Sequence, residues 1–595
     1  MACLNAPTGR LLNMLILGLS PFRHHPSAAL LQDGVLRSAI ENEKLSRSGS
    51  PGLPIDAIRF CLESVGAKWA DLDAVAIATR PVRAWLRRSW SRAKLSIRSP
   101  LANAYYETKD MGALARELKD LRILRYKDGV RRKNWYFDHH LCHGASAFFL
   151  SPFDQALIIT LDEDGDGDSG MIAIGKNNGI RVLKKIRFQD SPAGLYSQVT
   201  GLIGFLPHAD EQKTQWLSLE GEPEFEKVFL GMLRKRGSTM PRVDHSFVNR
   251  DYAKRLTFSA KFYRETGLPA DPGELSEAQR KALASSIQAA CVEVVSKLAE
   301  QLRRQYGIEQ ICLAGGLFQN PLLVASIEKN LGMNQVFVPP APGNAGTSVG
   351  AAQLAWHQVL QKPRGEPISH VYLGPNPSGQ QTKDVLDNSK ARYSVQTTEQ
   401  QRLDAAIQLL MAGKIVGWVQ GACEFGPRAL GNRSVLASPW APYVRENLND
   451  YIKFREWFRP FAISVTEEDC HQYFDSSQLC RFMNSIGWIR VNSGVLPDSF
   501  HLPGGRVRLH IVERRTNPLF WRLLKRFGEH APAPMLVNTS FNLFGEPLVV
   551  TPRDAIRSYF CSGIDALVIN NFVLSKSGIS PGVKPVSAGW VGGRA

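Results

Sequence analysis

Asp162, Asp164, Asp166 and Gly167, within ITLDEDGDGDSG (159–170), spell the first half of a calcium loop. Such a loop closes with a bidentate Glu at its twelfth position and is flanked by helices. The twelfth position here is Ala173, and the run before the loop, ALIITL, is short, β-branched and apolar, as a buried strand is. SGMIAIGKNNG, which follows, reads as a second strand ending in an Asn-Gly turn. The calcium reading falls, and the acids of a strand–loop–strand hairpin need another task.

A second set of ligand-type residues lies just upstream, in DHHLCHGASAFFLSPF (138–153). On a helix, His139 and His143 stand i, i+4, on one face and within reach of a single metal ion. In the first helical turn the positive end of the dipole favours the neutral imidazole that binds metal. Asp162, at the end of the following strand, adds a carboxylate. Two His and one carboxylate leave positions open for a substrate, as Fe(II) and catalytic Zn sites do. An HxxxH pair decorating a helix surface fits the same spacing.

The densest group is C-terminal. EFGPRALGNRSVLASP (424–439) puts Arg428 and Arg433 in a Gly-punctuated turn, and YIKFREWFRPFA (451–462) adds Lys453, Arg455 and Arg459 between aromatics. LVNTSFNLFGEPLVVTP (536–552) offers Asn538, Thr539, Ser540 and Asn542 at a strand end. Cationic forks with hydroxyl and amide donors suit a small polyanion such as a phosphate ester. Interleaving with Phe, Trp, Pro and Gly predicts a lined pocket rather than a solvated charge cluster.

These groups need elements to hold them. LLNMLILGLSPFRHHPSAALLQDGVLRSAIENEK reads as strand, loop, strand, Asp33-Gly34 turn, strand, with the first strand buried and beginning near Met14 rather than a secretory signal. QALIITLDEDGDGDSGMIAIGKNNGIRVLKKI repeats that order and predicts an internal duplication of strands and turns. ICLAGGLFQNPLLVASIEKN (311–330) reads as strand, Gly315-Gly316 turn and helix, a turn that lets backbone approach a ligand. Two such hairpins and a Gly-Gly turn predict the actin/Hsp70/sugar-kinase ATPase architecture. LQKPRGEPISH (360–370) reads as a linker and SPGVKPVSAGWVGGRA as an irregular tail.

At 595 residues the chain exceeds one hydrophobic core. Nine scattered cysteines without a CxxC spacing argue against a disulfide framework or zinc ribbon and for a reducing cytoplasm. No apolar run approaches the roughly 18 residues of a membrane span. The net charge of +17 is uneven: Arg83, Arg87, Arg88, Arg92 and Lys94 alternate with Trp85 and Trp90, and Lys127, Arg131, Arg132 and Lys133 follow. That stretch reads either as a solvated helical face or as a surface for an anionic substrate, membrane headgroups or nucleic acid.

GPRALGNRS, KFREWFRPFA and NTSFNLFGEPLV closely resemble signatures of the O-carbamoyltransferase family, which decorates antibiotics, nodulation factors and other hydroxylated metabolites. HHPSAALLQDG, ENEKLSR, HHLCHGASAF, SPAGLYSQVTGLIGF, LAGGLFQN and PGNAGTSVGAA resemble the first domain of that family. The resemblance runs in order over residues 15–575. It implies a mixed α/β and α+β chain of two domains. Residues 14–360 are expected to form a duplicated actin/Hsp70-like (ASKHA-type) transfer domain, and residues 366–576 a YrdC-like domain that makes carbamoyl-adenylate from carbamoyl phosphate and ATP with Mg2+. It implies transfer of the carbamoyl group to an acceptor hydroxyl at a bound Fe(II) or other divalent transition metal. By that resemblance His139, His143, Asp162 and Asn344 ligate the metal, and Gly165, Gly167, Lys213, Gly315, Gly316 and Asn320 serve the nucleotide. His24 occupies the place of a general base; Arg428, Arg433, Lys453, Arg455 and Arg459 neutralise phosphates; Asn538, Thr539 and Ser540 orient the carbamoyl group, and Asn542 binds substrate or nucleotide.

The chain departs from the family pattern at several points. Asn344 stands where the family usually has Asp, His24-His25 replaces His-Asp, Lys213-Thr-Gln-Trp-Leu replaces Lys-x-Met-Gly-Leu, and His501-Leu-Pro-Gly-Gly replaces His-x-Asp-Gly-Thr. The expected partners are carbamoyl phosphate, ATP and a hydroxyl acceptor, anionic if the basic stretch serves it, without membrane insertion and without nucleic acid. The expected place is the cytoplasm or the inner face of its membrane. Two rivals remain: threonylcarbamoyl transfer to tRNA, which the basic stretch suits, and a non-catalytic nucleotide-binding scaffold. A hydrogenase-maturation carbamoyltransferase would add an acylphosphatase domain and CxxC zinc motifs, and the chain shows neither.

Overall fold

The computed structural model describes residues 14–93, 100–125, 133–234, 240–249, 257–490 and 494–576. Lys94, Lys127, Arg131, Arg132 and the Gly/Pro/Ser-rich tail lie outside them.

The first sheet follows from three apolar runs and two tight turns. β1 (Leu15–Ser20), β2 (Ser27–Gln32) and β3 (Val35–Glu41) form an antiparallel meander. Asp33 and Gly34 between β2 and β3 both have positive φ (52° and 82°), as a two-residue hairpin turn requires. β4 (Ala74–Ile77) and β5 (Lys133–Tyr136) add in parallel on the other side of β1, giving the order β3-β2-β1-β4-β5. Between β4 and β5 the chain leaves the sheet as two helices, Pro81–Ala93 and Pro100–Arg125.

The second sheet repeats this plan. β6 (Gln155–Gly165), β7 (Asp168–Lys176) and β8 (Gly179–Arg187) form the meander. A short antiparallel pair, β9 (Val248–Asn249) and β10 (Thr257–Phe258), stands apart. β11 (Ile311–Ala314) and β12 (Val336–Phe337) then join β6 in parallel, in the order β12-β11-β6-β7-β8. The two sheets share one topology, so the duplication expected of an actin/Hsp70-like architecture is present at the level of strand order.

The halves meet through two helices, His139–Leu150 and Gly346–Leu354. Close contact rests on missing side chains: a Cβ on Gly350 would overlap the Cys142 carbonyl, and one on Gly18 the Ser348 carbonyl. Among the described residues one helix, Glu277–Tyr306, is long and apolar enough to cross a membrane, and 72% of its apolar window is buried inside the fold.

Residues 361–370 form neither helix nor strand. Arg364 pins this segment: its guanidinium lies 4.6 Å from the Phe148 ring centre and donates to the Phe148 (2.8 Å) and Ser151 (2.9 Å) carbonyls. Beyond it a mixed sheet is built from β13 (Ser394–Val395), β14 (Val416–Val419), β15 (Arg433–Ala437) and β16 (Ala462–Thr466), completed by later strands. β17 (Phe474–Asp475), β18 (Gly487–Ile489) and β19 (Arg506–Val507) form a small separate sheet. β20 (Leu509–Val512), β21 (Met535–Ser540), β22 (Ala566–Ile569) and β23 (Phe572–Ser575) return to the large sheet, in the order β13-β23-β22-β14-β15-β21-β16-β20.

Candidate active site

Each aspartate of the acidic loop has its own partner, which answers the question its spacing raises. Asp164 accepts from the Gly167 amide (3.0 Å), and its carbonyl accepts from Arg23 (2.6 Å). Asp166, in the left-handed region (φ 55°), accepts from Thr79 Oγ1 (2.9 Å), Arg80 N (3.1 Å) and His139 N (3.0 Å). The last bond satisfies one of the unpaired amides that open the His139–Leu150 helix. Asp168 pairs with Arg87 and, at 3.3 Å, with Lys185. Asp162 is the one carboxylate of the loop that faces the His139 and His143 rings.

His139 Nε2 and His143 Nε2 are 3.0 Å apart, and Asp162 Oδ2 lies 3.2 Å from His143 Nε2 and 4.0 Å from His139 Nε2. Ligands about 2.1 Å from a common ion are separated by roughly 3.0–3.4 Å, so the three atoms stand close to coordination spacing. Two neutral imidazole nitrogens facing each other need a proton or cation between them. The buried His139 Nδ1, His143 Nδ1 and Asn344 Oδ1 have no hydrogen-bond partner among the described residues. The two Nε2 atoms and the Asp162 carboxylate form a donor set that fits a divalent transition metal. Burial lowers the His143 pKa against the opposing pull of Asp162, and lowers His140 to about 4. Burial raises Asp162, but the histidine hydrogen bonds outweigh it and hold the carboxyl well below its usual range.

Glycines make room for this cluster. A Cβ on Gly165 would overlap the His139 ring, one on Gly315 (φ 103°) would overlap the Leu161 carbonyl, and one on Gly316 would sit 3.0 Å from Asp162 Oδ1. A Cβ on Gly167 would stand 2.7 Å from Arg87 Cβ. On the side where a Cβ would stand, the space over Gly165 and Gly167 is filled by His139 and Arg87. Asn320 likewise caps the Pro321–Leu331 helix through Leu323 N (3.0 Å) and donates to Gln288 Oε1 (2.7 Å), which occupies its amide within the protein.

In the second unit, built on the eight-stranded sheet beyond residue 370 and set against the first unit of two duplicated sheets, the cations divide. Arg428, Arg455, Arg459 and Arg508 influence one another electrostatically. Burial, then Arg459, lowers Arg428 to about 10 and Arg455 to about 9; burial and three neighbouring arginines hold Arg508 well below its usual value. Arg428 Nη2 donates to the Gln319 carbonyl of the first unit (3.1 Å), and Arg455 stacks 4.0 Å from the Phe461 ring centre. Crowded, partly desolvated cations of this kind favour an anionic ligand. Arg433 does not join them. It is fully buried and spends its guanidinium on the carbonyls of Gln420, Gly421, Asn432 and Pro375. Sequence spacing missed Arg508, which lies in RVRLH, away from the two arginine-rich stretches.

Lys453 Nζ gathers the strand-end residues, donating to Ser540 O (2.6 Å), Ser540 Oγ (3.1 Å) and Asn542 Oδ1 (2.7 Å). Asn538 projects from the same face of β21 as Ser540 and donates to Ser464 Oγ (3.0 Å), its own Oδ1 buried without a partner among the described residues. Thr539 points to the other face. Lys213 crosses between units to Glu456 Oε1 (2.7 Å) and also pairs with Asp210 (3.2 Å), so its charge is balanced by acids.

The units enclose a cavity of about 310 Å³. Asn344, Gln319, Glu41 and Lys44 line it from the first unit and Gly426, Ser540 and Asn542 from the second. Both first-loop histidines are exposed; His25 lines the cavity, with Nδ1 2.8 Å from Glu43 Oε1. The seam beside it is fixed by Lys44 Nζ donating to the Glu424 (2.9 Å) and Gly426 (2.8 Å) carbonyls and by Gly426 N donating to Glu41 Oε1 (2.9 Å).

Fold and site together define a two-unit mixed α/β enzyme whose polar groups converge on the seam between the units. Sequence profiles for the carbamoyltransferase N-terminus and C-terminus match residues 15–353 and 407–576. The chain belongs to the carbamoyltransferase family and is a transferase. It is 32% identical to the nodulation protein NolNO of Sinorhizobium fredii over 575 residues, covering 94% of this chain and 80% of that protein. It is also 32% identical to the 3'-hydroxymethylcephem-O-carbamoyltransferase of Amycolatopsis lactamdurans over 238 residues, covering 40% of this chain and 43% of the other. Full-length HypF in its phosphate- and nucleotide-bound form aligns with 60% of this chain and 48% of its own at 13% identity and a TM-score of 0.31.

Proposed function

We propose that the chain is an ATP-dependent O-carbamoyltransferase acting on the hydroxyl of a small molecule or glycoconjugate. The supporting observation is the cavity at the seam, which joins Asn344 of the first unit to Ser540 and Asn542 of the second. Residues 366–576 act as a YrdC-like activating domain and residues 14–360 as the transfer domain. Water releases phosphate from carbamoyl phosphate, and the carbamate oxygen then displaces pyrophosphate from the α-phosphorus of ATP, giving carbamoyl-adenylate. Arg428, Arg455 and Arg459, with Arg508, neutralise the phosphates; Lys453 orders Ser540 and Asn542 against the carbamoyl group. In the transfer half the acceptor oxygen attacks the carbamoyl carbon, AMP leaves, and the acceptor proton passes to a histidine of the first loop. Enclosure at the seam keeps the mixed anhydride from water.

His139, His143 and Asp162, with Asn344 added by family resemblance, hold a divalent transition metal, Fe(II) by the same resemblance. When bound, that ion supplies a Lewis-acidic centre. Buried cysteine thiols, seven among the described residues, agree with a reducing cytoplasm.

The decisive experiment measures ATP–pyrophosphate exchange by the purified chain with and without carbamoyl phosphate, followed by mass spectrometry of candidate acceptors for the gain of one carbamoyl group. Exchange that requires carbamoyl phosphate is expected. Exchange indifferent to it, or none, overturns the reading.

A further inference from the structure

The two helices between β4 and β5 carry a surface that the transfer chemistry leaves unused. Residues 81–133 hold fifteen Lys and Arg against five Asp and Glu, a net of +10 within a chain of +17. On the Pro100–Arg125 helix the charges are sorted by face. Lys109, Arg116, Lys119 and Arg122 are exposed, whereas the acids Asp110, Glu117 and Asp120 are half-buried. Among the cations Met111, Leu118 and Ile123 stand 56%, 43% and 53% exposed. At 100° per residue these seven positions share about half of the helix circumference.

The neighbouring helix, Pro81–Ala93, shows the complementary arrangement. Its Val82 and Leu86 are 47% and 54% exposed, while Arg83 and Arg87 turn inward to Asp138 and Asp168. Aliphatic side chains thus stand beside cations on the outer face of the helix pair, while its acids are partly withdrawn.

We propose that this helix pair docks the protein on an anionic lipid surface. Cations attract the headgroups, and the aliphatic side chains enter the boundary between headgroup and acyl chain. A nucleic acid would use the cations but gain nothing from Met111, Leu118 and Ile123, since its affinity comes from phosphate contacts and base stacking. Two copies of this face would repel each other.

Co-sedimentation of the full chain with phosphatidylcholine vesicles, and with equimolar phosphatidylcholine–phosphatidylglycerol vesicles, tests the proposal. Binding only to the anionic vesicles, weakening with salt, is expected. Each cation contributes about fivefold near such a surface. The combined substitution Lys109→Gln, Arg116→Gln, Lys119→Gln and Arg122→Gln should therefore weaken binding on the order of several hundredfold. Met111→Ser, Leu118→Ser and Ile123→Ser together should remove the part that survives high salt. All seven side chains are exposed, so the thermal unfolding temperature should not move, which separates lost docking from lost folding. Absence of binding to anionic vesicles at low salt overturns the proposal, as does wild-type binding by the four-cation variant. Capture of tRNA in preference to vesicles, or a dimer abolished by the apolar triple substitution, also overturns it.

Discussion

His139 Nε2 faces His143 Nε2 across 3.0 Å, one helical turn apart, with Asp162 Oδ2 completing the triangle. Such a pair is stable only with a cation or a shared proton between the rings. Asp162→Asn removes the one negative charge of the set, and purified protein should hold its metal some 10- to 100-fold more weakly. Asn344→Asp, which gives the orphaned oxygen a charge, should tighten retention. Elemental analysis after dialysis against a chelator reads both, independently of any turnover. Equal metal content in all three proteins would reject the site.

Arg428 and Arg433, five residues apart, should fail in different ways. Arg428→Ala removes a charge from the arginine cluster and should lower carbamoyl-phosphate-dependent ATP–pyrophosphate exchange about tenfold or more, with folding intact. Arg433→Ala strips buried carbonyls of their donor and should cost about 3 kcal/mol or more of stability. Denaturant unfolding beside the exchange assay separates the two, and a well-folded, inactive Arg433→Ala would return that residue to the pocket.

Gly165→Ala and Gly315→Ala should both disturb the metal triangle without touching a ligand. The first forces the His139 ring off its position; the second meets the Leu161 carbonyl and is strained by its φ of 103°. Each should cost on the order of 1–3 kcal/mol and reduce metal content. Unchanged melting and metal content would show that the ring and strand have room to yield.

Glu328 sets a pH dependence at the seam. Its carboxyl, on the Pro321–Leu331 helix, accepts from Ser485 Oγ of the second unit, and burial raises it to about 7 despite hydrogen bonds from Ser485 and Ser477. The unfolded carboxyl releases its proton near 4.5. Between these values the folded chain keeps a proton that the unfolded chain has lost, so this group's stabilisation, complete below about 4.5, is lost as pH rises to about 7. The integrated effect is at most about 3 kcal/mol. Glu328→Gln should flatten the decline in unfolding midpoint over that window; an unchanged slope would place the titration elsewhere.

Period and turn chemistry made much of this protein legible in its sequence. Alternating apolar runs, the Asp33-Gly34 turn and the repeated strand–loop–strand order follow from local backbone preference, which neighbouring residues largely decide. The i, i+4 pair His139 and His143 is local in the same sense, because helix geometry alone puts both rings on one face. Other outcomes depend on residues far apart in the chain. Gly165 and Gly167 read as loop glycines, and only tertiary packing sets His139 and Arg87 against the side where a Cβ would stand. Arg433 has the same local setting as Arg428, and only the backbone carbonyls that fold around it commit it to the interior. Arg508 and His25 gain their places because strands and loops distant in sequence close onto one seam. Hydrogen-bond satisfaction and steric exclusion across that seam are long-range terms, so residue type and spacing offered candidate groups while the tertiary structure chose which side chains face the cavity.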